Sequence, residues 1–188
     1  MRRFIINILD GKILAQSIKD ALKKEIDEIK KKTGHAPSVI SILIGNDPRA
    51  AAYANSQKKV ADALGIKYTL ENISKNISQD EMERLIERCN NDHSVTGIMI
   101  QKPVPSQINF RALSRRVDPK KDIEGIHPAN MGDLIRGETN IIPSTPAAVM
   151  EHIKASGVNI SGKKRSWSDA ARSSVNRLRF FCWIKMQR

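Results

Sequence analysis

Between residues 12 and 116 the chain switches repeatedly between two hydrophobic periods, and that alternation limits the possible folds more than any other feature. Residues 12–33 place Ile13, Leu14, Ile18, Leu22 and Ile26 at helical spacing with Lys and Glu between them, and Gly34 supplies a stop. Residues 38–45, SVISILIG, form a short β-branched run ending at Gly, the pattern of a buried strand. Residues 49–64 predict a second helix closed by Gly65, and residues 66–73 alternate as a strand. Ser78 with Glu81 three residues later predicts a capping box opening a helix that runs to about Cys89. An apolar strand over 95–101, a helix over 108–116 and a last short helix over 146–156 complete the pattern. Strands alternating with helices predict an α/β fold: one three-layer domain with a largely parallel sheet.

The bulk properties narrow the functional classes. A chain of 188 residues fits one domain, or one domain and part of another. No apolar run is long enough to span a bilayer, so no membrane partner is expected. The opening MRRFIINILDGK is a poor signal peptide, because its short apolar run meets Asp10; cytoplasm is the expected location. Cys89 and Cys182 have no metal or disulfide spacing, and His35, His93 and His152 form no ligand set, so no metal is expected. The net charge is +12, but residues 165–188 hold six basic residues and one acidic, leaving 26 basic against 19 acidic elsewhere. No aromatic interleaving or nucleic-acid motif accompanies this charge. A basic surface that attracts an acidic small molecule accounts for it equally well, and nucleic acid is not the expected partner.

In parallel α/β sheets ligands bind beyond the carboxyl ends of the strands. Two unusual blocks fall there: GNDP at 45–48 after the first strand and QKPVP at 101–105 after the third. Tyr53 lies one turn into the helix after GNDP. It is either a ring that stacks on a flat ligand or a half-buried helix aromatic. Gln57, four residues on, shares its helix face, while Lys58 and Lys59 read as solvated charges. Gln101 ends an otherwise apolar strand, where a carboxamide can orient a neighbour, hold a ligand's polar edge, or simply face water. Pro103 and Pro105 stiffen the loop beyond it. KDIEGIHP at 121–128 brackets Gly125 with Asp122 and Glu124. Asp122 can grip a ring N–H together with an exocyclic amine, or serve only as a turn residue. His127, before Pro128, reads as structural.

Taken together, DGK at 10–12, ILIGNDP, the Tyr53 helix, GIMIQKPVP, DPKKDIEGIHP, PSTPAAVM and SGKK at 161–164 resemble the FolD family. These are bifunctional methylenetetrahydrofolate dehydrogenases and methenyltetrahydrofolate cyclohydrolases of one-carbon metabolism and purine biosynthesis. The resemblance implies a folate-binding N-terminal domain, here residues 1–160, followed by a Rossmann domain for NADP, and a homodimer. It implies an oxidoreductase step, oxidation of methylenetetrahydrofolate by hydride transfer, and a hydrolase step yielding formyltetrahydrofolate. By position, Tyr53 would stack on folate, Gln101 and Pro103 would line the substrate site with Gln101 positioning the reacting centre, and Asp122 would hold the pterin's amino edge. The family's catalytic lysine falls at Gln57. Gln has no titratable proton, so the cyclohydrolase step is expected to be impaired while hydride transfer, which depends on positioning, survives. Lys59 is not expected to substitute, because it projects elsewhere. Lys102, Glu124 and Ser144 are smaller departures.

The resemblance stops after Lys164, where the family would continue into GRSxIVGxP, its phosphate-binding turn. Here residues 165–188 read RSWSDAARSSVNRLRFFCWIKMQR. Back-translated and read two nucleotides into the Arg165 codon, permitted codons give VVVGRSxIVGKPxxLLLLDKNA. Phe181, Cys182 and Trp183 force Leu-Leu, Trp183 with Ile184 forces Asp, and Met186 with Gln187 forces Ala. The expectation is a shifted frame near Lys164, so that residues 161–188 are the start of a lost NADP-binding domain followed by an out-of-frame tail. On that expectation the Rossmann domain is missing, no cofactor-binding residue is encoded in the translated frame, and the truncated chain is inactive. A non-catalytic folate-binding remnant is the alternative reading, with a basic nucleic-acid-binding protein behind it.

Overall fold

A computed structural model describes residues 10–138 and 141–160. The elements follow the order α1 (Gly11–Thr33), β1 (Ser38–Ile44), α2 (Pro48–Leu64), β2 (Lys67–Ile73), α3 (Gln79–Asn91), β3 (Gly97–Ile100), α4 (Phe110–Arg116), α5 (Pro128–Arg136) and α6 (Ser144–Ala155). The strands form a parallel sheet in the order β2-β1-β3, with Ser38 opposite Lys67 and Val39 opposite Gly97. With β1 central, the chain moves outward to β2 and then back past β1 to β3. Right-handed crossovers therefore place α2 and α3 on opposite faces, which produces three layers.

The two faces of the sheet differ in chemistry. Ile42, Ile44, Ile98 and Ile100 point to the α3 face and pack with Met82, Ile86, Cys89, Leu113 and Val117 in the main core. Alternate positions, among them Ser41, Met99 and Gln101, point toward α2. That helix approaches closely because Ala50, Ala54 and Ala61 are its buried residues together with Leu64. A smaller cluster of Leu134 and Met150 joins α5 to α6. Among the described residues no helix is long and apolar enough to cross a membrane, and no cluster of His, Cys, Asp and Glu could hold a metal ion.

Several local readings have a visible cause. Ser78 and Glu81 form the capping box: the Glu81 N–H donates to Ser78 Oγ (3.3 Å) and the Ser78 N–H to Glu81 Oε2 (2.9 Å). Gly34 and Gly65 end α1 and α2 with positive φ. The apolar stripe expected along α1 buries only Ile26, with Ile13 72 % and Leu22 40 % exposed. The sequence pattern also missed α5. Its signals were present: Pro128 at the first position, Gly137 at the αL end, and His127 as the cap whose Nδ1 accepts the Ala129 N–H (3.0 Å). His127 thus has the structural role its context suggested. The tail over 161–188, including Cys182, lies outside the described residues.

Candidate functional site

The site forms where β1 and β3 end. Gly45 turns the chain at φ +87°, a conformation that favours glycine, and donates its N–H to Ile73 O (2.8 Å). Asp47 then caps α2 by accepting the Arg49 and Ala50 N–H groups, each at 2.9 Å. This GNDP turn fixes the start of α2 and brings Tyr53 over the end of β3. Tyr53, 59 % exposed, lines a cavity of about 290 Å³ with Asp47, Arg49, Ala50, Gln101, Lys102 and Pro103. The Lys102–Pro103 peptide is cis, and the Lys102 ammonium lies 3.8 Å from the centre of the Phe110 ring. On its other side Tyr53 borders a second cavity of about 570 Å³, lined by α6 residues including Ser144, Thr145 and His152.

Gln101 does not face water. It is buried, and its Nε2 donates to Ser41 Oγ (2.9 Å) and Gln57 Oε1 (2.8 Å), with Met99 Sδ at 3.2 Å. Tyr68 Oη donates to the same Gln57 Oε1 (3.1 Å), and Gln57 Nε2 reaches Met99 Sδ (3.3 Å). Burial pushes the Tyr68 phenol above its ordinary range, with Ser41 and Gln101 opposing through hydrogen bonds and Tyr53 adding to the rise. Position 57 therefore holds a neutral amide inside a neutral hydrogen-bonded group. Lys58 bonds Tyr68 O (3.3 Å) and pairs with Asp62. Lys59 is exposed along the groove facing α1, away from Gln101.

Asp122 is placed differently from the other candidates. It is 3 % exposed and does not line the Tyr53 cavity. Its Oδ1 accepts the Glu124 N–H (3.2 Å), and its Oδ2 accepts from the His127 N–H (2.8 Å) and Asn130 Nδ2 (2.9 Å). The loop before it is clamped to the carboxyl end of α3, where Lys121 Nζ donates to the carbonyls of Cys89, Asn90 and Asp92 at 3.0, 2.6 and 2.7 Å. The segment then bridges Ile98 in parallel, as one further rung beside β3. The structure thus brings Tyr53, Gln57, Gln101 and Pro103 to one place and sets Asp122 beside β3 as a buried fastening of the turn. Sequence reasoning missed Ser41, Tyr68 and Met99 as neighbours of the glutamines, and Arg49 and Lys102 as cationic walls. Strand parity relative to Gln101 was the available signal for Ser41 and Met99.

A parallel α/β layer whose strand ends open on an aromatic, a carboxamide pair and a stiff prolyl wall has the arrangement in which small-molecule sites form. The chain belongs to the tetrahydrofolate dehydrogenase/cyclohydrolase family, whose catalytic-domain model matches residues 9–124. It is 38 % identical over 157 residues to the bifunctional protein FolD of Bacillus pumilus, covering 84 % of this chain and 55 % of that one. The bifunctional FolD enzyme of Campylobacter jejuni superposes with a TM-score of 0.87 at 31 % identity, covering 96 % of this chain and 64 % of that one. The FolD enzyme of Trypanosoma brucei, solved with NADP cofactor and an inhibitor, has a TM-score of 0.81 at 29 % identity, covering 95 % and 61 %. The chain spans about half the length of the curated relatives it matches.

Proposed function

We propose that residues 1–160 form the folate-binding catalytic domain of an enzyme that oxidises 5,10-methylenetetrahydrofolate to the methenyl form, and that hydrolysis of that product to 10-formyltetrahydrofolate is impaired in this chain. The observation that carries this reading is one cavity bounded by Tyr53, Gln101 and Pro103, with Gln57 bonded directly to Gln101. In this reading Tyr53 stacks on the flat part of the substrate. Gln101 positions the reacting carbon, and Pro103 forms a wall. Arg49 and Lys102 suit the substrate's carboxylates. Asp122 mainly fastens the turn and reaches the pterin's amino edge only through the acceptor capacity left on Oδ1. Gln57 cannot take or give a proton, which is why the hydrolytic step suffers.

Residues 10–138 and 141–160 contain no glycine-rich turn suited to a dinucleotide pyrophosphate, so the described residues do not fit NADP. NADP as hydride acceptor, a homodimer and a cytoplasmic setting belong to the proposal for the enzyme as a whole. Its further part is that residues 161–188 pass from the start of the NADP-binding domain into an out-of-frame tail.

Calorimetric titration of the purified chain with tetrahydrofolate tests the binding reading. Saturable binding is expected. Tyr53→Ala should weaken it by about tenfold or more, as stacking on an aromatic ring is lost. Binding unaffected by Tyr53→Ala and by Gln101→Ala would overturn the assignment.

A further inference from the structure

We propose that Tyr68 and Met99 are positioning residues that lock the Gln57–Gln101 amide pair in one orientation, so that Gln101 presents its carbonyl oxygen to the ligand and the site prefers a cationic folate. The inference rests on the folate reading above and names which state of the substrate the site favours.

An amide pair of this kind has two self-consistent arrangements. In one, Gln57 Oε1 receives the Tyr68 hydroxyl and the Gln101 amide, and Gln101 gives its second N–H to Ser41. In the other, both carboxamides are turned over, the Ser41 and Tyr68 hydroxyls reverse, and Gln101 shows N–H groups to the cavity. Hydroxyls can donate or accept, so Ser41 and Tyr68 alone do not choose. Met99 does. Its thioether only accepts, and both amide nitrogens lie against it at 3.3 Å and 3.2 Å. Gln57 Nε2 keeps an N–H for the sulfur, whereas Gln101 Nε2, with its two hydrogens on Gln57 and Ser41, only rests against it; the reversed arrangement would turn an oxygen onto the sulfur in place of the Gln57 N–H. The Tyr68 hydroxyl then closes the preferred arrangement on Gln57 Oε1.

The consequence falls on Gln101 Oε1. Its Nε2 is turned inward to Ser41 and Gln57, and Gln101 lines the Tyr53 cavity, so the oxygen is the part of this carboxamide left for a ligand. A lysine at position 57 would act in the opposite sense: an ammonium has only donors and would draw the Gln101 oxygen inward. Here an acceptor dipole faces the ligand instead. Loss of hydride from the methylene bridge leaves positive charge spread over N5, the bridging carbon and N10. A fixed carbonyl oxygen stabilises that charge more than it stabilises the neutral folate.

The test compares affinities of the purified chain for 5,10-methenyltetrahydrofolate, which is cationic at the bridge, and for tetrahydrofolate, which is not. The parent chain should prefer the methenyl form. Tyr68→Phe and, separately, the volume-conserving Met99→Leu should each reduce that preference about tenfold, the scale of one hydrogen bond to charge, while tetrahydrofolate affinity stays within about twofold. In the free chain the side-chain amide protons of Gln101 should exchange slowly and speed up in both variants, read by NMR of 15N-labelled glutamine. A preference unchanged in both variants, or both affinities falling in parallel, overturns the inference and leaves the folate reading standing. Failure of the parent chain to bind either folate would overturn the folate reading, and the ligand preference with it.

Discussion

In the proposed reading, Gln57 sets what the site can do with a proton. Its Oε1 accepts from Tyr68 and Gln101, and its Nε2 rests on a sulfur, so no titratable group stands at that position. Gln57→Lys should raise hydrolysis of 5,10-methenyltetrahydrofolate by this chain by about 10²-fold, the lower range of general acid–base effects, followed as loss of the methenyl chromophore. No increase would mean that the missing lysine is not what limits hydrolysis. Asp122 poses a different question at the same scale. Its carboxylate takes three hydrogen bonds from the chain while buried. Asp122→Asn turns part of that acceptor set into a donor facing N–H groups, and should cost about 1–3 kcal/mol in urea unfolding as well as weakening folate binding. A variant of full stability that binds poorly would point to ligand contact alone. Asp122 was legible as a turn residue because its bonds run two and five residues along the chain, which is the range of an Asx-type turn.

Most elements were readable because their start and stop signals are local. The capping box of α3 is a four-residue motif, and the structure shows both of its reciprocal bonds. It also makes a testable acid response. The Ser78 hydroxyl, followed by its N–H, holds the Glu81 carboxyl below the ordinary carboxylate range. A depressed folded-state pKa contributes stability above the unfolded value, and that contribution is lost as pH falls through the folded value. Ser78→Ala should therefore lower stability at neutral pH. Melting curves of the two proteins should converge as the solution is acidified through the depressed folded-state range of Glu81 and its carboxylate takes up a proton. An equal gap at pH 7 and pH 3 would assign the loss to the hydroxyl alone. Helix α5 escaped the sequence reading although Pro128 and Gly137 mark its ends. The preceding KDIEGIH segment draws the eye as a turn, and a nine-residue helix offers little periodicity to weigh against it. Along α1 the helical period holds while the stripe buries only Ile26: a helical stripe predicts a face, and which neighbour covers it is decided elsewhere in the molecule.

At the scale of the whole molecule, the sheet order β2-β1-β3 is what makes a site from these parts. The proposed frame shift after Lys164 belongs here too, and resequencing the gene across the codons for Gly162–Ser168 checks it. One additional base would restore the reading frame after Lys164; an unchanged sequence would place the shift in the gene itself. The sequence by itself determined the α/β class, the alternation of strands and helices, the helix caps and the order of motifs at the strand ends. These depend on periods of 2 and 3.6 residues and on bonds between near neighbours, which a linear pattern records. Tertiary structure alone decided that Gln101 meets Ser41 sixty residues away and Gln57 forty-four away, with Tyr68 and Met99 closing the group. Those contacts require β1 at the centre, parallel register on both sides and a helix of small residues lying close to one face. No segment of the chain carries that arrangement alone, because it is set when the sheet and α2 pack together.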